Sequence, residues 1–250
     1  MTTRLINLRA IRAMGAADLA GIGRDPLLRW MACAPLATAL AIRLLFGPLL
    51  ERIGDLLAID LMAAYPILAG YALLLLPPML IGMVIGFLLL DMADDRTLLA
   101  LRVTPLPLAT FLGYRLLMPT LVSILVMLPA FAIAGISTLP AFAAMAAALL
   151  AAPLAALAAL ALASFAANKV QGLALTKLAG IFMLTPIVAH YSPEAWQPVF
   201  WLLPTYWPAR LLRVLAEGQA WWGGVAAGIV IDMLLLVLLV RRFGNMRSFE

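Results

Sequence analysis

Three carboxylates stand close together where a long apolar run ends: Asp91, Asp94 and Asp95. One or two carboxylates acting together with substrate phosphates are a usual way of binding Mg²⁺. The D-x-x-D-D spacing could therefore support magnesium-dependent prenyl or phosphatidyl transfer at a membrane surface. No second acidic cluster follows on another loop of the same side, and the Gly and Ala-Arg of the phosphatidyl-transferase pattern are absent. We keep this transferase as a lesser alternative.

Two further ionisable residues lie inside apolar runs. An ionisable group within a membrane span is costly and is usually paired or functional. Asp232 lies about 12 Å from the inner end of the sixth predicted span, and Lys177 lies about 8 Å into the fifth, at about 1.5 Å per helical residue. We predict an ion pair between Lys177 and Asp232. The alternative is a proton-coupled secondary transporter in which Asp232 carries the proton.

The chain has no G-x-x-x-x-G-K-[ST] sequence with which to hold nucleotide phosphates. A lone histidine and a lone cysteine offer no catalytic cluster of their own. The sequence therefore predicts no catalytic residue and no metal site in this chain.

The elements that carry these residues are membrane helices. Of the 250 residues, 66% are hydrophobic and 12% charged, and the mean hydropathy is +1.08. This composition excludes an ordinary soluble domain. Because about 20 apolar residues are needed for each crossing, we predict an all-α, polytopic protein with one membrane domain over residues 1–250. Its six spans are expected near 26–47, 62–90, 111–136, 141–166, 172–190 and 220–240.

Charge sorting predicts the orientation. Most of the 17 Lys and Arg residues fall on the side that carries both termini, which the positive-inside rule places in the cytoplasm. Residues 1–25 are expected to form an amphipathic interfacial helix. The net charge of +5 is thereby explained by membrane lipids, and nucleic acid needs no place as a partner.

The second and fifth spans offer adaptable apolar side chains for a translocation path. Thioether and aromatic groups can accommodate varied ligands. The candidates are Met79, Met83, Phe87, Phe182 and Met183. Gly82 and Gly86 give the second span a small-residue face, so plain helix packing is the alternative.

Residues 191–219 contain four prolines among five Trp and Tyr residues. This segment is too broken for a crossing, and its aromatic residues favour a membrane interface. We predict a re-entrant segment that dips into the outer leaflet between the fifth and sixth spans.

Residues 91–110 join the second and third spans through charges. Asp94 and Asp95 are expected to begin a short helix that ends at Arg102, because these charges favour its dipole. Thr104 and Pro105 are typical of the start of the next helix.

This segment resembles the cytoplasmic coupling segment of type-2 ABC exporter permeases, closest to fluoroquinolone and other drug export permeases. The likeness rests on residues 96–108 (RTLLALRVTPLPL), 24–28 (RDPLL) and 203–209 (LPTYWPA). It implies that the coupling segment docks on a separate ATPase. The residues expected to transmit this contact are Asp94, Asp95, Arg96, Thr97, Leu98, Leu101 and Arg102.

The resemblance also implies the other components of the transporter complex. The chain would be a permease of the bacterial cytoplasmic membrane that exports a lipophilic or amphiphilic small molecule. ATP and Mg would be bound by the ABC ATPase subunit, and a second permease, identical or paralogous, would complete the path. The re-entrant segment would cap the exit, with Trp201, Tyr206 and Trp207 as an outer gate, although an aromatic belt that only anchors the fold fits the same residues.

Overall fold

The computed structural model describes residues 8–57, 60–95, 108–136, 138–219 and 221–248. Within these residues, six helical stretches are long and apolar enough to cross a membrane, as predicted. They cover Pro26–Leu57, Met62–Asp94, Thr110–Ala134, Ala141–Phe165, Lys169–Tyr191 and Trp222–Gly244.

The helices within these residues are numbered in chain order. They are α1 (Leu8–Arg24), α2 (Pro26–Ala41), α3 (Gly47–Leu57), α4 (Tyr65–Asp94), α5 (Leu108–Ala134), α6 (Ala141–Ala151), α7 (Pro153–Phe165), α8 (Lys169–Tyr191), α9 (Gln197–Phe200), α10 (Tyr206–Ala216) and α11 (Trp222–Ser248). A π-helical turn, Ile42–Phe46, joins α2 to α3. The first span therefore continues beyond the predicted end at residue 47.

The start of the first span has a clear local cause. The Asp25 carboxylate accepts hydrogen bonds from the backbone N–H groups of Leu27 and Leu28, at 2.8 and 3.3 Å. Pro26 follows as the first helical residue, where its missing N–H costs nothing. This cap separates α1 from the first span, as the sequence predicts.

Helix α4 is the centre of the bundle. In its most apolar window 89% of the residues are buried, against 22% in the first, third and fifth spans. It continues through Pro77 and Pro78 as one helix of 30 residues. At about 1.5 Å per residue it is about 45 Å long, well beyond a hydrocarbon core of about 30 Å.

Two glycines let α4 and α7 approach each other closely. A Cβ atom added at Gly82 would lie 2.3 Å from the Ala155 carbonyl oxygen, and one at Gly86 would lie 2.9 Å from the Leu162 side chain. The small-residue face predicted for the second span is therefore used for helix packing.

The segment after α8 folds back beside it. The Thr205 hydroxyl donates a hydrogen bond to the Phe182 carbonyl oxygen at 2.9 Å. Phe182 precedes the end of α8 at Tyr191 by nine residues, or about 13 Å along the helix. Helix α10 then packs against α6, α8, α4 and α11, with Tyr206, Trp207 and Leu212 buried.

Candidate functional site

The functional features lie at three levels of the bundle. The face at which α1 and α4 end and α8 begins is called the N-terminal face, and the opposite one the distal face. A cavity lies between them.

A three-residue charge cluster ties the N-terminal face together. The Lys169 ammonium group, at the start of α8, lies 2.6 Å from the Asp25 carboxylate and 3.1 Å from that of Asp91 near the end of α4. The hydrogen bond from Lys169 lowers the pKa of Asp25 below its ordinary value. Asp25 thus caps α2 and also joins it to α4 and α8.

A second and more buried ion pair holds α1 against α5. Arg115 donates to both carboxylate oxygens of Asp18 at 2.9 Å, and the Tyr114 hydroxyl donates to the same carboxylate at 2.8 Å. The guanidinium group also lies over the Phe111 ring, 5.4 Å from its centroid. Because both charged residues are buried, this contact fixes the N-terminal helix to the start of the third span.

Only the first two of the predicted coupling residues, at the end of α4, belong to the part of the chain that the structure describes. Asp94 is the last residue of the helix and Asp95 its cap, and both are exposed. Asp91, the third carboxylate of the transferase alternative, is the one that pairs with Lys169. Arg96, Thr97, Leu98, Leu101 and Arg102 lie outside the described residues.

An apolar cavity of about 730 Å³ lies between α4, α7, α8 and α11. Residues 202–205 border it towards the distal face. Both α4 and α11 pack against α7, whereas α8 and α11 do not pack extensively against each other over the described residues. The cavity therefore opens sideways between α8 and α11, where a lipid bilayer would surround the bundle.

The predicted path residues fall in two places. Met79, Met83 and Phe182 line the cavity. Phe87 is fully buried in the neighbouring core, and its ring would lie 2.9 Å from a Cβ atom added at Gly172. Met183 packs against the apolar cluster around Tyr71 and Leu74. The structure thus brings three of the five together at one surface.

The predicted ion pair between Lys177 and Asp232 is not formed, which corrects that prediction. Asp232 is buried, and its Oδ1 atom has no hydrogen-bond partner. Lys177 is exposed on α8, and it has no ionic partner among the described residues. The prediction compared only heights along the two helices, whereas α8 and α11 stand on opposite sides of the cavity mouth.

The three predicted gate residues form one aromatic cluster. The Trp207 indole N–H donates to the Trp201 carbonyl oxygen at 2.8 Å, and the Trp207 ring stacks on Trp221 at a centroid distance of 5.7 Å. The Tyr206 hydroxyl donates to Gln197 at 2.9 Å, and its ring meets that of Trp207 edge to face. The cluster binds the segment between α8 and α11 to the bundle.

Four charged residues of this architecture were not identified as structural contacts from the sequence: Asp18, Arg115, Lys169 and Arg242. Asp18 did carry a signal, because it is the one acidic residue in the basic stretch that precedes Asp25. Arg242 lines the cavity at its N-terminal end, and nothing in its neighbourhood along the chain distinguishes it from Arg241.

Residues 18–240 match the family model described as "Fluoroquinolones export permease protein Rv2686c-like". The chain belongs to this family. It is also 32% identical to two curated relatives over 243 residues, which is 94% of this chain and 94% of each relative. These are the fluoroquinolones export permease proteins MT2760 and Rv2686c of two Mycobacterium tuberculosis strains, CDC 1551 and H37Rv.

No solved structure matches the chain significantly. Membership in the Rv2686c-like family and the six apolar spans among the described residues together make this a multi-pass protein of the bacterial plasma membrane.

Proposed function

We propose that this chain is the membrane-spanning subunit of an ATP-driven exporter that moves a lipophilic or amphiphilic small molecule, such as a fluoroquinolone, out of the cell. Its membership in a fluoroquinolone-export permease family over residues 18–240 carries the proposal. The apolar cavity of about 730 Å³ supports the cargo class, because sites for drug-sized ligands span about 300–1,000 Å³ and are mostly apolar.

The energy would come from another chain. No phosphate-binding loop occurs in this sequence, so a separate ABC ATPase would bind ATP and Mg and would meet the N-terminal face at residues 91–110. A second permease, identical or paralogous, would complete the path. The N-terminal face would then be cytoplasmic.

The packing supports residues 91–110 as the point of force transfer. The segment begins in the last turn of α4, the most buried span, and ends shortly before the Tyr114–Arg115 contact to α1. Lys169 joins α4 to α2 and α8. A push on this segment would therefore reach α1, α2 and α8 through these side-chain contacts rather than act on one helix alone.

The distal cluster of Trp201, Tyr206 and Trp207 would close the exit of the path. The fold-back of about 13 Å beside α8 supports this position, since residues 202–205 border the distal end of the cavity.

One observation supports a second candidate, a proton-coupled transporter. Asp232 is buried within the sixth span, and its Oδ1 atom has no partner. A carboxylate in that setting is a candidate proton carrier. Transport that follows a pH gradient, requires Asp232 and ignores ATP would favour this candidate over the ATP-driven exporter.

Arg102→Ala tests the coupling assignment. We expect the permease to insert and to co-purify with its ATPase at reduced yield, while drug uptake into inverted vesicles falls about tenfold or more and ATP hydrolysis loses its response to drug. A tenfold loss corresponds to about 1.4 kcal/mol of coupling free energy, within the usual range for linked sites.

The matched control is Arg52→Ala, which removes an exposed arginine from the distal end of the first span and should leave uptake unchanged. Equal uptake by Arg102→Ala and the wild type would remove the coupling role from residues 94–102.

A further inference from the structure

The cavity between α8 and α11 has an apolar body and a single charged end. Its lining is apolar along α4 and α7, and Arg242 is the charged residue among the described residues that line it. Arg242 lies on α11 near the N-terminal face, close to Ser164 and Phe165 at the end of α7.

The polar groups of the lining other than Arg242 already have partners. Thr205 donates to the Phe182 carbonyl oxygen at 2.9 Å, and Thr176 donates to that of Leu173 at 2.7 Å. A ligand in the cavity therefore meets apolar side chains and hydroxyl groups whose donors are already used, except at Arg242.

Arg242 retains donors for such a ligand. Its Nε donates a long hydrogen bond of 3.4 Å to the Ser164 carbonyl oxygen, and its guanidinium group lies 4.4 Å from the centroid of the Phe165 ring. No carboxylate within the described residues forms an ion pair with it. The side chain is exposed, so its two terminal nitrogens are oriented by α7 but are not occupied by an acid.

The depth of the cavity matches one leaflet of a membrane. Along α7 its lining runs from Leu154 to Phe165, which is about 16 Å at 1.5 Å per residue. The hydrocarbon core of a bilayer is about 30 Å thick, so this is about half of it. The guanidinium group then stands at the level of the headgroups and the apolar wall at the level of the acyl chains.

We propose that the cavity is a binding site for an anionic phospholipid of the leaflet at the N-terminal face. Its phosphate lies on Arg242, and an acyl chain enters between α8 and α11 and lies against Met79, Met83 and Leu239. Arginine suits the phosphate because its fork of donors contacts two oxygens at once. The lipid occupies the same cavity that supports the proposed cargo class, so lipid and cargo compete for it. Lipid binding does not depend on the source of energy for transport.

Alanines provide the room for the acyl chain. Ala158 and Ala161 on α7 and Ala179 on α8 line the cavity with methyl groups, where larger side chains would fill it. Filling the cavity and removing the charge are therefore separate ways to disturb the site.

The test is native mass spectrometry of the full-length chain, purified in detergent and titrated with phosphatidylglycerol or with phosphatidylcholine of identical acyl chains. We expect the wild type to retain phosphatidylglycerol more strongly. Arg242→Ala should reduce this preference about fivefold, the effect of one basic residue near an anionic membrane surface. Arg242→Lys should keep part of it.

Arg241→Ala is the matched control, because Arg241 is the exposed neighbour on the same helix and does not line the cavity. It should bind lipid as the wild type does. Ala161→Phe should weaken binding of both lipids, and inorganic phosphate at millimolar concentration should displace neither, because it lacks an acyl chain. If Ala161→Phe fails to fold, the comparison of Arg242→Ala with Arg241→Ala decides alone.

Three outcomes would overturn the proposal. Equal losses in the Arg241 and Arg242 variants would indicate a general basic surface, and displacement by phosphate alone would indicate an anion site without a lipid. Efficient cross-linking of Leu238→Cys between two copies in a Cys33→Ser background, with no lipid retained, would show that a second permease covers the cavity.

Discussion

The two halves of the bundle are held together by different means. Around α4 and α7, glycines and alanines bring the backbones into contact, and the charges beside them are paired, as in Asp18 with Arg115. Around α8 and α11, a cavity separates the helices, and Lys177, Asp232 and Arg242 have no ionic partner among the described residues.

This difference indicates a division of labour. A contact made of small residues and paired charges has one good arrangement, since interiors are close-packed and tolerate little change in volume. No such contact joins α8 to α11 across the cavity mouth within the part of the chain that the structure describes, although Lys169 still ties the start of α8 to Asp25 and Asp91. The α4–α7 half is therefore the scaffold, and the cavity lies between this half and the helices α8 and α11.

The largest expected loss of stability comes from breaking the buried ion pair of the scaffold. Arg115→Met leaves the Asp18 carboxylate buried without its cation, which should cost about 3–5 kcal/mol of folding free energy. Thermal unfolding in detergent, followed by tryptophan fluorescence, measures the loss. Arg241→Met, at an exposed arginine, should melt like the wild type. A similar melting temperature for both variants would show that the pair does not hold the scaffold together.

The same substitution, glycine to alanine, should have different effects on stability in the two halves. Gly82→Ala places a methyl group 2.3 Å from the Ala155 carbonyl oxygen and should cost about 1–3 kcal/mol, as overpacking does. Gly180→Ala, on α8, meets nothing within 4 Å and should be neutral or slightly stabilising. The same unfolding assay compares the pair. Equal stabilities would mean that the α4–α7 contact is no tighter than the open half.

A change of about 1 kcal/mol in folding free energy is expected on removing the unpaired carboxylate of Asp232. Asp232→Leu removes a buried polar group without a partner and should raise stability by about 1 kcal/mol. Combined with Lys177→Leu, its effect should be additive within about 0.5 kcal/mol, as for separated sites. A coupling energy well above that in the double-mutant cycle would restore the ion pair that the structure lacks.

The smallest expected effect is a loss of stability at low pH, caused by protonation of Asp25 at the N-terminal face. The pKa of Asp25 is lowered, first by the hydrogen bond from Lys169, so its contribution is complete above its unfolded pKa of 3.8 and is lost as the pH falls through the lower folded value. Asp25→Asn keeps the helix cap but removes this dependence. Below about pH 4 the wild type should therefore lose up to about 1 kcal/mol more than the variant, a partly exposed pair being worth no more. Parallel acid titrations would argue against the Lys169 contact.

Local patterns predicted the elements well because their causes lie within a few residues. Runs of about 20 apolar residues located the six spans, and the predicted start of the first at residue 26 is where Asp25 caps the helix. Gly82 and Gly86, one helical turn apart, gave the packing face of α4.

Contacts between distant elements could not be predicted in the same way. Asp18 meets Arg115 across 97 positions of the chain, and Lys169 meets Asp25 across 144. Counting residues gives the height of a side chain along its helix, and periodicity gives the face on which it lies. Neither shows which neighbouring helix that face will meet. For that reason Lys177 and Asp232 were predicted to pair, and Phe87 was grouped with residues that line the cavity.

Drug uptake into inverted vesicles tests most directly the proposal that a separate ATPase drives this permease. Vesicles that contain the permease together with its partner ATPase should accumulate a fluoroquinolone when ATP is present, also after a protonophore has abolished the pH gradient. Vesicles with the permease alone should accumulate none. Uptake by the permease alone, driven by the pH gradient and abolished by Asp232→Asn, would contradict the account.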